Sequence, residues 1–166
     1  MLCKNILFTE SEIIIFFQKM KTIFDKATKN ELITRINSLS NKSSAKWGKM
    51  NIYQMIKHCS SWEEMIQENH QFKRAFVGRI FGRIALKSVL KDGAPLRKNS
   101  PTIPELVMSG NGDIAAEKEK WKSRINNYTN YSHPFYLHPF FGKMTKEQIG
   151  FLVYKHDDHH LRQFGA

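Results

Sequence analysis

The strongest constraint on the fold is the helical spacing of residues 145–164. Apolar, imidazole and amide side chains recur there at steps of three and four residues, the spacing of one face of an α-helix. At about 100° per residue they fall within an arc of roughly 80°; they are Ile149, Val153, His156, His160 and Gln163. Thr145 and Gln148 form a capping-box pair at the start. The segment therefore predicts a helix whose histidines face the core.

The rest of the chain predicts an all-α protein, since helical periodicity recurs and no alternation typical of a β-strand is found. The other predicted helices cover residues 28–39, 51–72, 76–90 and 114–128. Several prolines and an Asp-Gly pair between the last two predict a long irregular connection. We therefore expect a four-helix bundle with a long crossover connection that carries an additional helix.

Three histidines are predicted to meet inside this bundle. His156 and His160 lie one turn apart, about 6 Å along the axis, so both imidazoles share a face. His58 lies at helical steps from Met55, Trp62 and Met65, so it also points inward. Charged imidazoles buried together repel and neutral ones need partners, and a divalent cation would satisfy both conditions. The alternative is that these are ordinary semi-buried histidines.

The composition indicates one basic globular domain. The 166 residues include 26 Lys and Arg against 15 Asp and Glu, a formal charge of +11. This charge favours encounters with phosphates, acidic metabolites or membrane surfaces. No zinc finger, RNA-recognition signature or basic-region zipper occurs, so specific nucleic-acid binding is not expected. Cys3 and Cys59 are too few for a disulfide framework, and a reducing cytoplasm is the expected compartment.

The N-terminal residues 1–19 contain an apolar run at positions 13–17 that does not fit a targeting segment. Glu10 and Glu12 precede it, and no small-residue cleavage site follows. The run is also far shorter than the roughly 20 residues that cross a membrane, so no stable membrane insertion is expected. We expect residues 20–166 to form one domain. Residues 1–19 are interpreted as a leader that is disordered or, with translation starting at Met20, not native.

Two motifs and a helix entry resemble a known superfamily. The run YKHDDHHLRQFG at residues 154–165 is similar to the C-terminal signature of DinB-like proteins. The HPFFG loop at residues 138–142 is similar to a branch of that superfamily with unknown function. A further likeness, to the entry of the second helix, is carried by Trp47, Gly48, Lys49, Met50, Tyr53, Gln54, Met55 and His58. The resemblance extends over about residues 20–165 and implies a DinB-like bundle of the DinB/YfiT-like superfamily.

The resemblance also implies that one divalent metal ion is bound by His58, His156 and His160. Imidazole ligands suit zinc, nickel, iron and copper alike, and of these we expect zinc or nickel. Three histidines leave a coordination position open, as catalytic zinc sites do. That position could activate water for a metal-dependent hydrolase, or hold a low-molecular-weight thiol for an S-transferase. A non-catalytic metal-binding or interaction module is the third interpretation, because no general base can be assigned. The expected partner is an unknown, anionic small-molecule substrate, and a homodimer is also compatible with the sequence.

Other residues near the predicted site have two interpretations each. Glu63, Glu64 and Asp157 could orient a ligand imidazole or be solvated charges. His159 lies at the edge of the arc, and Cys59 diverges from His58 by about 100°, so core packing is expected of the cysteine.

Two features outside the helix faces are also ambiguous. His133 and His138, in the aromatic loop, could line the mouth of the site or belong to a packed cap. A basic stripe recurs at four-residue steps on the helix predicted over 76–90; it comprises Arg79, Arg83, Lys87 and Lys91. A solvated face explains the stripe most simply, and its functional interpretations are an anionic substrate or a lipid surface.

Overall fold

The computed structural model describes residues 20–166, so the leader expected at residues 1–19 lies outside the described part. Five α-helices follow one another: α1 (Lys26–Ser38), α2 (Ile52–Gln67), α3 (Phe76–Val89), α4 (Ile114–Asn127) and α5 (Lys146–Gln163). Short 3-10 turns lie at Pro104–Leu106 and Tyr128–Asn130, and two strands, β1 (Phe135–His138) and β2 (Gly142–Thr145), precede α5. The prediction of a mostly helical fold is confirmed.

The prediction that the chain contains no strand is wrong. β1 and β2 form an antiparallel hairpin in which Phe135 pairs with Thr145 and His138 pairs with Gly142. Tyr136 and Met144, which pair across the hairpin, are both buried. Each strand has only four residues, which is too short for a period of two to stand out in a sequence. The aromatic loop is therefore a hairpin that packs on the helices through one face.

The second helix is shorter than its periodicity predicts. α2 ends at Gln67 rather than near residue 72. Asn69 has a φ of 53°, in the left-handed region, and the backbone N–H of His70 donates to the carbonyl of Met65. A left-handed residue just beyond the last turn closes a helix. Asparagine tolerates this conformation better than most residues, so Asn69 sets the end of α2.

Four helices form most of the core, to which α3 adds the buried Leu86 and the partly buried Val89 near its C-terminal end. α2 packs along α4 and α5, and α1 contacts the same two helices, whereas α3 contacts β2. The largest fully buried core side chains of the four helices are Leu32, Ile36, Met55, Ile56, Met65, Ile66, Trp121 and Ile125. An ion pair between Arg35 and the buried Asp158, at 2.8 Å, joins α1 to α5. None of the helices described is long and apolar enough to cross a membrane.

Both predicted capping boxes are present, and they fix the helices that carry the histidines. The Asn51 side chain accepts from the backbone of Gln54, whose own side chain accepts from Asn51, at the start of α2. Thr145 and Gln148 make the same reciprocal pair at the start of α5. Each box satisfies two backbone N–H groups that would otherwise have no partner. The first residue of each helix that carries the histidines is thereby fixed.

Candidate metal centre

His58 from α2 and His156 and His160 from α5 converge at one point. One ring nitrogen from each lies within 4.8 Å of the other two. Nε2 of His58 and Nε2 of His156 are 3.2 Å apart. A tetrahedral zinc ion at 2.0–2.1 Å from each nitrogen requires ligand atoms about 3.3 Å apart. The closest pair therefore already has the spacing of a metal site.

The tautomer of His58 is fixed by the long connection between α3 and α4. Its Nδ1 lies 2.9 Å from the carbonyl oxygen of Leu106, in the 3-10 turn. A carbonyl oxygen can only accept, so Nδ1 carries the proton. Nε2 of His58 therefore has no proton, and its lone pair points towards His156 and His160.

The tautomer of His160 is fixed by Gln163, one turn further along α5. Nε2 of the Gln163 amide donates to the carbonyl of Trp47 at 2.7 Å, which turns the amide oxygen towards His160. That oxygen accepts from Nδ1 of His160 at 2.8 Å. Nδ1 therefore carries the proton, and Nε2 of His160 is free to bind a cation.

We predict that Gln163→Met lowers the zinc affinity about 10–100-fold, because partners that orient metal-binding histidines contribute this much. Methionine fills a similar volume without hydrogen bonds, so the fold should persist. Competition titration against a chromophoric chelator measures the change. The control is Gln148→Met, which removes the capping amide at the far end of α5. An affinity loss as large in the control would show that Gln163 acts only through helix stability.

His156 provides the test of whether a metal ion fits. Its ring stacks on Trp62, with centroids 4.0 Å apart, and 12% of its side chain is exposed. Its Nδ1 is buried, has no hydrogen-bond partner among residues 20–166, and lies 3.6 Å from Oδ1 of Asp157. Its Nε2 faces the lone pair of His58, which is stable only with a proton or a cation between the two nitrogens. The donor set therefore fits a divalent metal ion.

The electrostatic environment keeps all three imidazoles neutral. Burial lowers the pKa of His58, and it lowers the pKa of His160 to about 3, with the neighbouring His58 adding to the effect. Burial, together with the nearby His160 and His58, places the pKa of His156 well below its ordinary value. Metal ions bind only the neutral imidazole. At pH 7 the cluster is therefore ready to bind a cation without releasing protons.

Comparison with known proteins identifies the family. Residues 18–166 match the family described as Protein of unknown function (DUF1569). The chain belongs to the DUF1569 family. A search of curated proteins found no match, and neither did a search of solved structures.

A second group of potential ligands in this DUF1569 protein shares His156. Cys59, His156 and Asp157 also present ligand atoms within 4.8 Å of one another. Burial raises the pKa of Cys59 well above its ordinary value, and Asp157 and Glu63 add to the rise. Burial, with the charge of Glu63, also raises the pKa of Asp157. Metal binding here would require two unfavourable ionisations, so the neutral three-histidine set is the better site.

Of the buried carboxyl groups, Asp157 lies beside Nδ1 of His156, whereas Nε2 of the same ring faces His58. Glu63 and Asp157 are both fully buried, and the Tyr128 hydroxyl donates to Glu63. Burial raises the pKa of Glu63 to about 7. Glu64 instead lies on the surface, where it pairs with Arg124 at 2.7 Å. Of the three candidate carboxylates, only Asp157 is shown beside a site histidine.

His159 lies next to the cluster, at the wall of a cleft. Its ring is 5.1 Å from that of His160 and 5.6 Å from that of Trp47. The cleft has a volume of about 360 Å³, and basic residues Lys46, Lys98 and Arg162 line it beside Trp47 and His159. His159 is thus placed where a bound small molecule would touch it.

The two histidines of the aromatic segment have structural partners in the DUF1569 protein. Nδ1 of His138 accepts from the backbone N–H groups of Phe140 and Phe141, at 3.1 and 3.2 Å, and so closes the hairpin turn. Nε2 of His133 donates to the carbonyl of Gln67 at the end of α2, at 3.1 Å. These contacts favour the packed cap over the mouth of the site.

The pH dependence of stability should report on His138. Burial lowers its pKa to about 4, with the charge of Arg74 contributing. The unfolded chain takes up this proton near pH 6.5 and the folded chain only near pH 4, so stability falls as the pH falls through that window. Each pH unit within this window changes the free energy of unfolding by up to about 1.4 kcal/mol.

The comparison is between urea unfolding of the wild type and of His138→Asn, whose side-chain oxygen can accept the same N–H bonds. Between pH 6.5 and pH 4, the free energy of unfolding should change less steeply with pH in His138→Asn than in the wild type. The difference in slope should correspond to up to one bound proton. Equal slopes would show that His138 titrates normally in the folded state.

Proposed function

We propose that this DUF1569 protein binds one divalent transition-metal ion, zinc or nickel, through His58, His156 and His160, and is a metal-dependent hydrolase. The observation that carries the proposal is the distance of 3.2 Å between Nε2 of His58 and Nε2 of His156. Because Nδ1 of His58 donates to the Leu106 carbonyl, Nε2 of His58 has no proton and presents its lone pair. A divalent cation held there supplies Lewis acidity to a ligand in the coordination position that three histidines leave open.

The residues around the histidines hold the donor set rigid before any ligand arrives. The Leu106 carbonyl fixes the ring of His58, and Gln163 fixes the ring of His160. Trp62 stacks on His156 with an angle of 15° between the planes, which restricts rotation of that ring. Such supports are what keep a metal site within its working geometry.

The cleft beside His159 supports an anionic small molecule as the substrate. Lys46, Lys98 and Arg162 come from three separate segments and meet at its walls. Lys98 also lies over the ring of Trp47, 4.4 Å from its centroid. Cationic walls attract carboxylates and phosphates. A substrate anchored there would extend past His159 towards the histidine cluster.

Membership of the DinB/YfiT-like superfamily is part of the proposal. It is supported by the C-terminal run that contributes His156 and His160, and by four helices that share one core with a long connection between α2 and α4. The expected cytoplasmic location and the possible homodimer stay predictions.

A non-catalytic metal-binding module is the second candidate, and one observation favours it. Asp157, which lies beside His156, and the neighbouring Glu63 are both fully buried, so neither is available as a base to a substrate from solvent. Metal binding without turnover would then be the outcome. A panel of ester, amide and thiol-electrophile substrates separates the candidates, and also tests the S-transferase alternative.

The first experiment is metal analysis of full-length protein purified without a histidine tag, comparing the wild type with His156→Ala by mass spectrometry of the metals. The proposal predicts about one metal ion per wild-type chain and little or none in the variant. Equal metal content in the two proteins would refute the site. Turnover of any panel member by the wild type, lost on chelation, would establish an enzyme.

A further inference from the structure

Helix α3 turns its large apolar side chains to solvent. These side chains are Phe76, Val77, Ile80, Phe81 and Ile84, and their exposed fractions lie between 55% and 76%. They occupy one continuous arc of about 140° around the helix. Scattered exposed apolar residues are common on soluble proteins, but a continuous apolar face usually marks an interaction surface.

The opposite face of α3 is buried: Gly78 and Gly82 pack on the hairpin, and Leu86 one turn further reaches the core. Gly78 and Gly82 lie against the backbone of Phe140, and a Cβ at either position would clash with its carbonyl oxygen. The N–H of Ala75 donates to the Pro139 carbonyl, and Arg83 donates to the Lys143 carbonyl at 2.9 Å. The helix is therefore docked through its glycines. This close contact through the glycines leaves the five exposed apolar side chains on the side of α3 that faces solvent.

The segment that carries this face is exclusively basic. Residues 71–91 contain no Asp or Glu; their Lys and Arg residues are Lys73, Arg74, Arg79, Arg83, Lys87 and Lys91. All but Arg74 are exposed. Arg79, Arg83 and Lys87 follow one border of the apolar arc, and Lys91 lies at its C-terminal end. The surface thus combines an apolar centre with positive charge at its edge.

Charge complementarity decides between the possible occupants. In a symmetric dimer the same patch meets itself, so the cations of one α3 would face those of the other. An anionic bilayer instead accepts the apolar side chains among its acyl chains and the cations among its headgroups. We propose that α3 is a peripheral membrane-binding helix that lies flat on bilayers containing anionic lipids. This surface is separate from the histidine cluster, and the proposal does not depend on the metal.

The experiment is co-sedimentation of the full-length chain with vesicles of phosphatidylcholine alone or of phosphatidylcholine mixed with phosphatidylserine. Binding is expected to the mixed vesicles and to weaken as salt is added. Each cation near an anionic surface contributes a factor of about five, so Arg79→Gln/Lys87→Gln/Lys91→Gln should bind on the order of 100-fold more weakly. Lys26→Gln/Lys42→Gln/Lys49→Gln removes the same charge from exposed positions elsewhere and should bind nearly as well as the wild type.

A second arm tests the apolar face. Phe76→Ser/Ile80→Ser/Ile84→Ser should abolish vesicle binding without unfolding the protein, which circular dichroism checks, because all three side chains are exposed. Phe81→Trp should show a blue shift of tryptophan emission with mixed vesicles and none with neutral vesicles. Both results are expected only if this face enters the bilayer.

Four outcomes would overturn the proposal. Equal binding to neutral and mixed vesicles, or binding to neither, would show that α3 does not recognise anionic lipids. An equal loss of vesicle binding in both charge variants would show that binding depends on the net charge of the protein and not on α3. The wild type could also form a dimer in sedimentation velocity and bind no vesicles. If the serine variant abolished that dimer, the apolar face would be the contact with a second copy of the chain. If the protein bound vesicles only after the substitutions Ile14→Ser/Phe16→Ser, the occupant of the apolar face would be residues 1–19 of the same chain.

Discussion

Replacing His160 by alanine is expected to lower the affinity for zinc at pH 7 by more than about 100-fold. A partner that merely orients a ligand histidine contributes 10–100-fold, so removal of a ligand itself must cost more. The remaining pair, His58 and His156, can hold an ion at only two points. Competition with a chromophoric chelator gives the affinity. His70→Ala is the matched control, since 51% of the His70 side chain is exposed.

Thermal unfolding gives an independent measure of the same change. Zinc at 100 times its dissociation constant should stabilise the wild-type chain by about 2.7 kcal/mol. The His160→Ala chain at the same zinc concentration should gain much less, and the His70→Ala chain should gain as much as the wild type. If His160→Ala bound zinc as tightly as His70→Ala does, His160 would not be a ligand.

Trp121→Ala is expected to lower the free energy of unfolding by about 3–5 kcal/mol, the largest change in stability that we predict. The side chain is completely buried on α4, among the helices that share the core. Packing is the main contribution, because the whole indole ring lies in the hydrophobic core. Urea unfolding at pH 7 measures the change.

The control on the same helix is Ser123→Ala, at an exposed position, which should stay within about 0.5 kcal/mol of the wild type. A loss below about 1 kcal/mol in Trp121→Ala would mean that α4 does not pack on the core as described. In that case the position of α2, which packs along α4 and carries His58, would also be in doubt.

Helical phase predicts that each of the three histidines faces the interior of the bundle. A separation of four residues places His156 and His160 on one face of α5, whereas His159 is turned by about 100° from His160. The structure brings His58, His156 and His160 together and places His159 at the neighbouring cleft. Periodicity is informative here because both helices are long and each begins at a capping box. Their role as metal ligands is still a prediction.

Features that depend on tertiary contacts could not be predicted. The acceptor for His58 is the backbone carbonyl of Leu106, in an irregular connection, and a backbone group has no signature in the sequence. The burial of Glu63 beside Asp157 runs against the usual exposure of carboxylates. Gln163 did carry a signal, because it lies three residues from His160 on the same arc. Its role became apparent only through the carbonyl of Trp47.

X-ray absorption spectroscopy of the zinc-loaded, full-length protein at pH 7 tests the central claim most directly. We expect imidazole nitrogens at about 2.0–2.1 Å, with the multiple-scattering pattern of three histidines and no sulfur ligand. A sulfur atom at about 2.3 Å would contradict the account, since it would place the ion at Cys59, His156 and Asp157 instead.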